Sequence, residues 1–376
     1  MRNAMLILSY GGPTCLDDIE PFLDAVLCGK RVPEARRAAV REKYARFNGV
    51  SPLPEETLKF AQRIRDAARD DVRVYVANIY SAPTCRDAID AMRRDDVKSV
   101  FALPTAPFAA PQICQKYRGA LKNALEEYHD REFVDSLDVA FPLPFFDRPA
   151  LRRAAADSIL EALAWDELDS NPFASKNENA TAERMLLFVA HSLPCDDAER
   201  ALYREQILDL ALGAVELALN APSFGRKPQQ PATSAADASF CPPDDARIDA
   251  ARRALRKRGL DFALAFQSRS GSPATPWLEP DVNVFLRDAK RNAPALKRVI
   301  VAPIGFFLEN METAWDLDVE LRATCDAIGL SYRRATCCGA DVRVADDVLK
   351  LAQETRGTCP LRGGVCDFSC RRAAVR

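Results

Sequence analysis

Histidine is scarce in this chain: only His129 and His191 occur in 376 residues. A multi-histidine metal centre is therefore excluded, and any metal chemistry must rest on carboxylates, thiolates and one imidazole. Long apolar runs are also missing. The opening MRNAMLILSYGGP holds one short apolar stretch, too brief for a signal core or for the roughly 20 residues that span a bilayer. No transmembrane segment is expected, and with no export signal the expected location is cytoplasmic. Charge of one sign is not in excess: 52 Lys+Arg stand against 54 Asp+Glu, a formal net charge of -2. Nothing then draws the chain globally to nucleic acid or anionic lipid. Phosphate-loop spacing is absent, since Gly11-Gly12 fits neither G-x-G-x-x-G nor GxxxxGK[ST], and no G-x-S-x-G elbow occurs.

What is present begins with length, which at about 150 residues per domain gives two or three domains. Short apolar or β-branched runs bounded by turn signals predict buried parallel strands at Met5–Ser9, Val72–Asn78, Ser99–Leu103 and Leu137–Phe141. Four more follow at Met185–Ala190, Phe262–Phe266, Val299–Ala302 and Ser331–Arg334. Helical patterns such as Ala35–Phe47, Pro54–Asp70 and Ala198–Leu219 lie between them. The halves echo each other at strand ends, where open α/β sheets place ligands. The first strand runs into Tyr10-Gly11-Gly12-Pro13 and His191-Ser192-Leu193-Pro194, the third into Leu103-Pro104 and Ala302-Pro303. The expected fold is α/β, two similar Rossmann-like domains, each a four-stranded parallel sheet flanked by helices, with a cleft between them. The expected boundaries are 1–150, 151–350 with surface loops near 169–183 and 222–245, and a cysteine-containing tail at 351–376.

The most informative stretch is Pro303–Glu320, PIGFFLENMETAWDLDVE. Glu312, Asp316 and Glu320 recur every four residues, which lays three carboxylates along one helical stripe. Such a stripe is commonly a solvated face. Here Trp315 and the apolar run before Glu312 point to a buried helix start, where repelling carboxylates want a cation or proton traffic. A lone histidine on a strand is more often a core residue than a ligand. His191 at a strand end is read beside Glu312 as an imidazole–carboxylate pair for a borderline divalent metal or for protons on a nitrogen ligand. Most of the twelve cysteines are expected as reduced thiols. The tail spacing Cys359-x6-Cys366-x3-Cys370 stands apart, either as cluster ligands or as a frayed tail.

The chain resembles the ferrochelatases, and more closely the coproporphyrin-type enzymes of bacteria. The resemblance runs through LILSYGGP (Leu6–Pro13), FNGVSPL (Phe47–Leu53), FVAHSLP (Phe188–Pro194), FQSRSGSPATPWLEPDV (Phe266–Val282) and VAPIGFFLENMETAWDLDVE (Val301–Glu320). It implies a lyase of haem and porphyrin biosynthesis that inserts Fe(II), its substrate metal, into a porphyrin. His191 and Glu312 would handle metal and pyrrole protons, and Asp316 and Glu320 would extend an acidic line along a π-helix as metal-handling groups. Tyr10, Lys30, Arg31, Ser51, Gln267, Ser268 and Arg269 would line the porphyrin. Cys359, Cys366 and Cys370 resemble the tail ligands of a 2Fe-2S cluster, with a fourth ligand from Cys114, Cys337 or Cys338.

Three departures stand out. Glu309-Asn310 replaces the family's Asp-His, Pro104–Pro111 replaces its aromatic and histidine residues, and Phe266 replaces its Trp before Gln-Ser. The short basic Leu27–Pro33 segment suits the four carboxylates of coproporphyrin III. The alternatives are protoporphyrin IX as substrate, a non-catalytic porphyrin or haem carrier on this fold, or a chelatase for another tetrapyrrole. Expected partners are the porphyrin, ferrous iron and a downstream haem-synthesis enzyme, with no nucleic acid.

Overall fold

The computed structural model describes residues 4–68, 72–164, 182–194, 197–221, 242–269, 275–354 and 358–360. Among these described residues nine strands form: β1 Ala4–Ser9, β2 Arg73–Asn78, β3 Ser99–Pro104, β4 Asp138–Pro142, β5 Arg184–His191, β6 Leu260–Gln267, β7 Arg298–Ala302, β8 Ser331–Arg334 and β9 Thr358–Pro360. The first eight match the expected strands within about two residues. They build two parallel sheets of order β2-β1-β3-β4 and β6-β5-β7-β8, so the internal echo in the sequence is an echo in topology. β9 was not anticipated. It adds antiparallel to the edge of β4, with Cys359 opposite Phe141 in the ladder.

Burial explains the strand pattern. All six residues of β1 are buried. Leu6 and Leu8 face a cluster with Ile89, Met92, Val100, Leu121 and Leu125. Met5 and Ile7, equally buried, point to the opposite face by the period-two alternation of a strand. Covered on both faces, the strand reads as an unbroken apolar run. Local chemistry starts the helices that connect the strands. Thr84 and Asp87 form a reciprocal capping box ahead of the Cys85–Arg94 helix, and Asp281 caps Val282–Asn292 through two backbone N–H groups.

The chain divides into two compact units, Met1–Phe145 with Phe307–Trp315 and Gly339–Cys366, and Phe146–Phe306 with Asp316–Cys338 and Asp367–Arg376. This partition is not consecutive, whereas the sequence reading places three consecutive segments. In the first unit Phe307 packs edge-on to Phe60 and Phe145, with ring centroids 5.1 and 5.9 Å apart, and its carbonyl accepts from the Gly339 N–H at 2.8 Å. In the second unit Leu317 and Leu321 join the cluster of Leu187, Val189, Val299 and Val301. Each fully buried leucine there contributes about 1.5–3 kcal/mol. Residues 169–181 and 222–241 of the two expected loops lie outside the described residues, while Asp245 opens a helix, Asp245–Arg256, capped by Asp244.

Candidate functional site

In the first unit the end of β1 delivers Tyr10 into an aromatic group. Its ring meets Tyr80 at 4.6 Å and Phe22 at 6.3 Å, and Phe22 meets Tyr44 at 5.7 Å, all edge-on. The next two glycines are required by space. Gly11 has φ +82°, and a Cβ there would lie 2.4 Å from Ser81 Oγ; a Cβ at Gly12 would lie 2.6 Å from Ser51 Cβ. Only glycine lets this loop lie so closely against its neighbours. Burial, then Tyr80 and Glu312, push the Tyr10 phenol well above the usual tyrosine range, so it stays a protonated donor at neutral pH. Tyr117 is buried and pushed up to about 12. The Lys116 ammonium lies 5.4 Å above the Tyr10 ring; burial lowers its pKa, Glu312 opposes that and nearby Lys30 reinforces it. Lys30 and Arg31 are exposed, between the Ile19–Leu27 and Glu34–Ala45 helices, and Ser51 is buried.

Glu312 is half-buried and two residues past Asn310. Asn310 and Thr313 cap this helix start reciprocally: the Thr313 N–H donates to Asn310 Oδ1 at 2.9 Å, and the Asn310 N–H donates to Thr313 Oγ1 at 3.0 Å. The Thr313 hydroxyl also lies 2.8 Å from Glu309 Oε2. This is the capping-box arrangement in an Asn-x-x-Thr version. Asn310, a departure from the family pattern in sequence, is a structural cap. Trp315 is held edge-on to Phe47 at 6.4 Å and flanked by Lys43 and Arg46, 5.4 and 5.1 Å from its ring.

From Thr313 to Leu321 the helix is a π-helix, a rare form that recurs at functional sites. Asp316 is buried, Asp318 half-buried and Glu320 exposed. In the second unit, the Arg334 guanidinium holds Asp318 bidentately, with both bonds at 2.8 Å, a strong fork-to-carboxylate match. Ser268 Oγ donates to Asp316 Oδ2. Ser268 has φ +62°, a left-handed conformation that costs a non-glycine residue about 1–3 kcal/mol and is kept where surroundings impose it.

His191 ends β5, opposite Gln267 at the end of β6. Its Nδ1 lies 2.5 Å from the Ser192 carbonyl. Since a carbonyl only accepts, Nδ1 carries the proton and a neutral imidazole keeps its lone pair on Nε2. Ser192 is locked by its N–H to the Gln267 carbonyl at 2.8 Å and its hydroxyl to the Leu278 carbonyl at 2.9 Å. Arg269 pairs with Glu279 at 3.4 Å.

The structure thus gathers Tyr10, Glu312 and Lys30 around Lys116 in one unit, and His191, Gln267 in one strand register and Ser268 on Asp316 in the other. Arg31 forms no ion pair among the described residues. Among the described residues no three His, Cys, Asp or Glu side chains gather as a ready metal cage. Cys366 and Cys370 lie outside the described residues; Cys337 and Cys338 are buried, and Cys114 is partly so. No helix among the described residues is long and apolar enough to cross a membrane. Sequence reasoning missed Tyr80, Phe22, Tyr44, Tyr117 and Lys116. Tyr80 had a usable signal, standing two residues past β2, the neighbour of β1 in the sheet.

The family model for ferrochelatase matches residues 2–356. A coproporphyrin III ferrochelatase of Streptomyces coelicolor is 31% identical over 361 residues, covering 94% of this chain and 86% of its own. The enzyme of that name from Mycobacterium tuberculosis is 31% identical, with 96% and 88% covered. Among solved structures, SirB from Bacillus subtilis with Fe3+ aligns at a TM-score of 0.49 and 11% identity, over 95% of this chain and 98% of its own.

Proposed function

The chain belongs to the ferrochelatase family, enzymes that insert ferrous iron into a porphyrin, and on that premise we propose that its substrate is coproporphyrin III and its product coprohaem. The observation that carries the metal-insertion reading is the capped entry at Asn310 into the Thr313–Leu321 π-helix. Along that stretch Glu312, Asp316 and Glu320, four residues apart in sequence, run from half-buried through buried to exposed. The balance of the reaction is simple: Fe(II) enters the macrocycle and the two pyrrole N–H protons leave.

His191 Nε2, with the proton held on Nδ1, accepts one of those protons. Glu312 takes part in the same proton and metal handling. Asp316, oriented by Ser268, and Glu320 lead toward solvent along the helix and serve iron arrival or proton departure. Tyr10, still protonated, and its aromatic neighbours give an apolar face for a flat ring. Lys30, Arg31, Ser51, Gln267 and Arg269 offer cations and hydrogen-bonding groups to the propionates. Relatives named coproporphyrin III ferrochelatases support the choice of porphyrin. A cytoplasmic location and release of product to a later haem-synthesis enzyme belong to the same reading.

The test is anaerobic incubation with Fe(II) and either coproporphyrin III or protoporphyrin IX, following porphyrin fluorescence and the Soret band. Faster conversion of coproporphyrin III is expected, with loss of at least about 100-fold in kcat for His191→Ala and Glu312→Ala, at the low end for a general acid–base group. Near-wild-type turnover in both variants removes the basis of the assignment, and faster protoporphyrin IX conversion reassigns the substrate. A 2Fe-2S cluster on Cys359, Cys366 and Cys370 is a separate proposal. Only Cys359 falls among the described residues, so the described residues do not complete a donor set and no step is routed through a cluster. Iron and acid-labile sulfide analysis of anaerobically purified protein tests it.

A further inference from the structure

Four lysines among the described residues pair with a carboxylate. Lys59 bridges to Glu55 and Glu56, Lys98 to Asp96, Lys122 to Glu126 and Lys297 to Glu183. Lys116 departs from this. It lies on the Pro111–Glu126 helix with Lys122, yet among the described residues it has no carboxylate within ion-pair distance. Its ammonium rests instead over the Tyr10 ring at 5.4 Å, close enough to Lys30 and Glu312 for both to act on it electrostatically. Lys30 likewise has no ion-pair partner among the described residues. A second cation, Lys30, therefore lies near the one that covers the Tyr10 ring, and among the described residues no carboxylate pairs with either at contact distance.

We propose that Lys116 is a carboxylate-recognition residue of the porphyrin site, its ammonium taking one propionate of the substrate beside Tyr10 and Lys30. This rests on the assignment of a porphyrin substrate above. A cation over a half-buried ring is held less strongly than one in a charge-assisted hydrogen bond to a carboxylate. The ammonium therefore leaves the ring face when a propionate arrives. A flexible four-carbon stem with three donors suits that movement. The mutual repulsion of Lys30 and Lys116 in the unliganded protein is relieved by the same anion. Lys116 acts on binding and orientation, with no role in the bond-changing step.

The experiment is a fluorescence titration of the full-length protein with coproporphyrin III and with its uncharged tetramethyl ester, in wild type, Lys116→Met and Lys116→Arg. The methionine variant is expected to bind the tetra-acid about tenfold more weakly, as for loss of one hydrogen bond to a charged group, and to bind the ester within about twofold of wild type. The arginine variant is expected within about threefold of wild type for both. Ester binding also reports that each variant is folded. Wild-type affinity for the tetra-acid in Lys116→Met overturns the proposal, and so does equal loss of acid and ester, the mark of a structural role. Wild-type protein that binds neither porphyrin overturns the substrate reading and this proposal together.

Discussion

The reciprocal cap at Asn310 and Thr313 supplies a stringent test, because it lies two residues from Glu312 and at a position where the sequence departs from its family. Asn310→Ala removes the acceptor of the Thr313 N–H, at a cost of about 1 kcal/mol within the usual 0.5–2 range for caps. Thr313→Val removes a fully buried hydroxyl that both serves the Asn310 N–H and reaches Glu309. Leaving such groups unsatisfied costs about 1–3 kcal/mol. The bonds are reciprocal, so the double variant should fall short of additivity by at least about 0.5 kcal/mol, the lower end for residues sharing hydrogen bonds. Urea denaturation of the four proteins measures the cycle. Iron insertion on the same samples reports the functional side, with Asn310→Ala expected to lower kcat more than it raises porphyrin KM, since fraying of this turn misplaces the Glu312 carboxylate. Asn310→His, which restores the family residue, should lose stability like Asn310→Ala and gain no activity. Additive single effects, or a histidine variant as stable as wild type and faster, would falsify the capping account and mark position 310 as a vacated catalytic site.

Two further predictions concern the second unit. Burial raises the pKa of Asp147 above the ordinary 3.8, with Arg152 partly opposing. The folded state therefore binds that proton more readily than the unfolded state does. Its stabilising contribution is full below 3.8 and is lost as pH rises through the folded value. Asp147→Asn should thus exceed wild type in urea midpoint at pH 7.5, by a margin that shrinks on acidification; a margin constant from pH 8 to 4.5 refutes this. At Gly305 a Cβ would lie 2.4 Å from Ala190 Cβ and 2.6 Å from Ala190 Cα. Gly305→Ala should cost about 1–3 kcal/mol or more, as overpacking does, and reduce turnover by displacing the strand residue next to His191. Near-wild-type stability and turnover together would count against that geometry.

Much of the fold was legible because buried parallel strands write themselves as short apolar runs, and eight of them set both sheets. β9 was not, since Thr358-Cys359-Pro360 carries neither alternation nor length; its partner on β4 supplies the order. The four-residue recurrence of Glu312, Asp316 and Glu320 was visible, but residues alone give such a stripe an α-helix as readily as a π-helix. Packing of Leu317 and Leu321 and the Arg334 fork on Asp318 accompany the wider turns. Asn-x-x-Thr at 310–313 is a cap pattern in the sequence itself, at a position where the family carries histidine. Lys116 and Tyr80 reach Tyr10 only through strand order and helix placement, long-range facts that no local pattern encodes.

The route of the chain has a consequence for its synthesis. The Pro52–Ala68 helix, made early, packs with Val342–Gln353, and Phe60 on it waits for Phe307. Both partners are made much later in the chain. At about 5–20 residues per second on a ribosome, the roughly 190 positions separating Phe145 from Gly339 take about 10–40 s. For that interval the outer apolar side of the Pro52–Ala68 helix stands without its native cover. The nascent chain therefore has to be shielded, or kept loosely collapsed, until the Phe307 and Val342–Gln353 segments emerge, and an amino-terminal fragment cut at residue 145 would carry that bare face permanently.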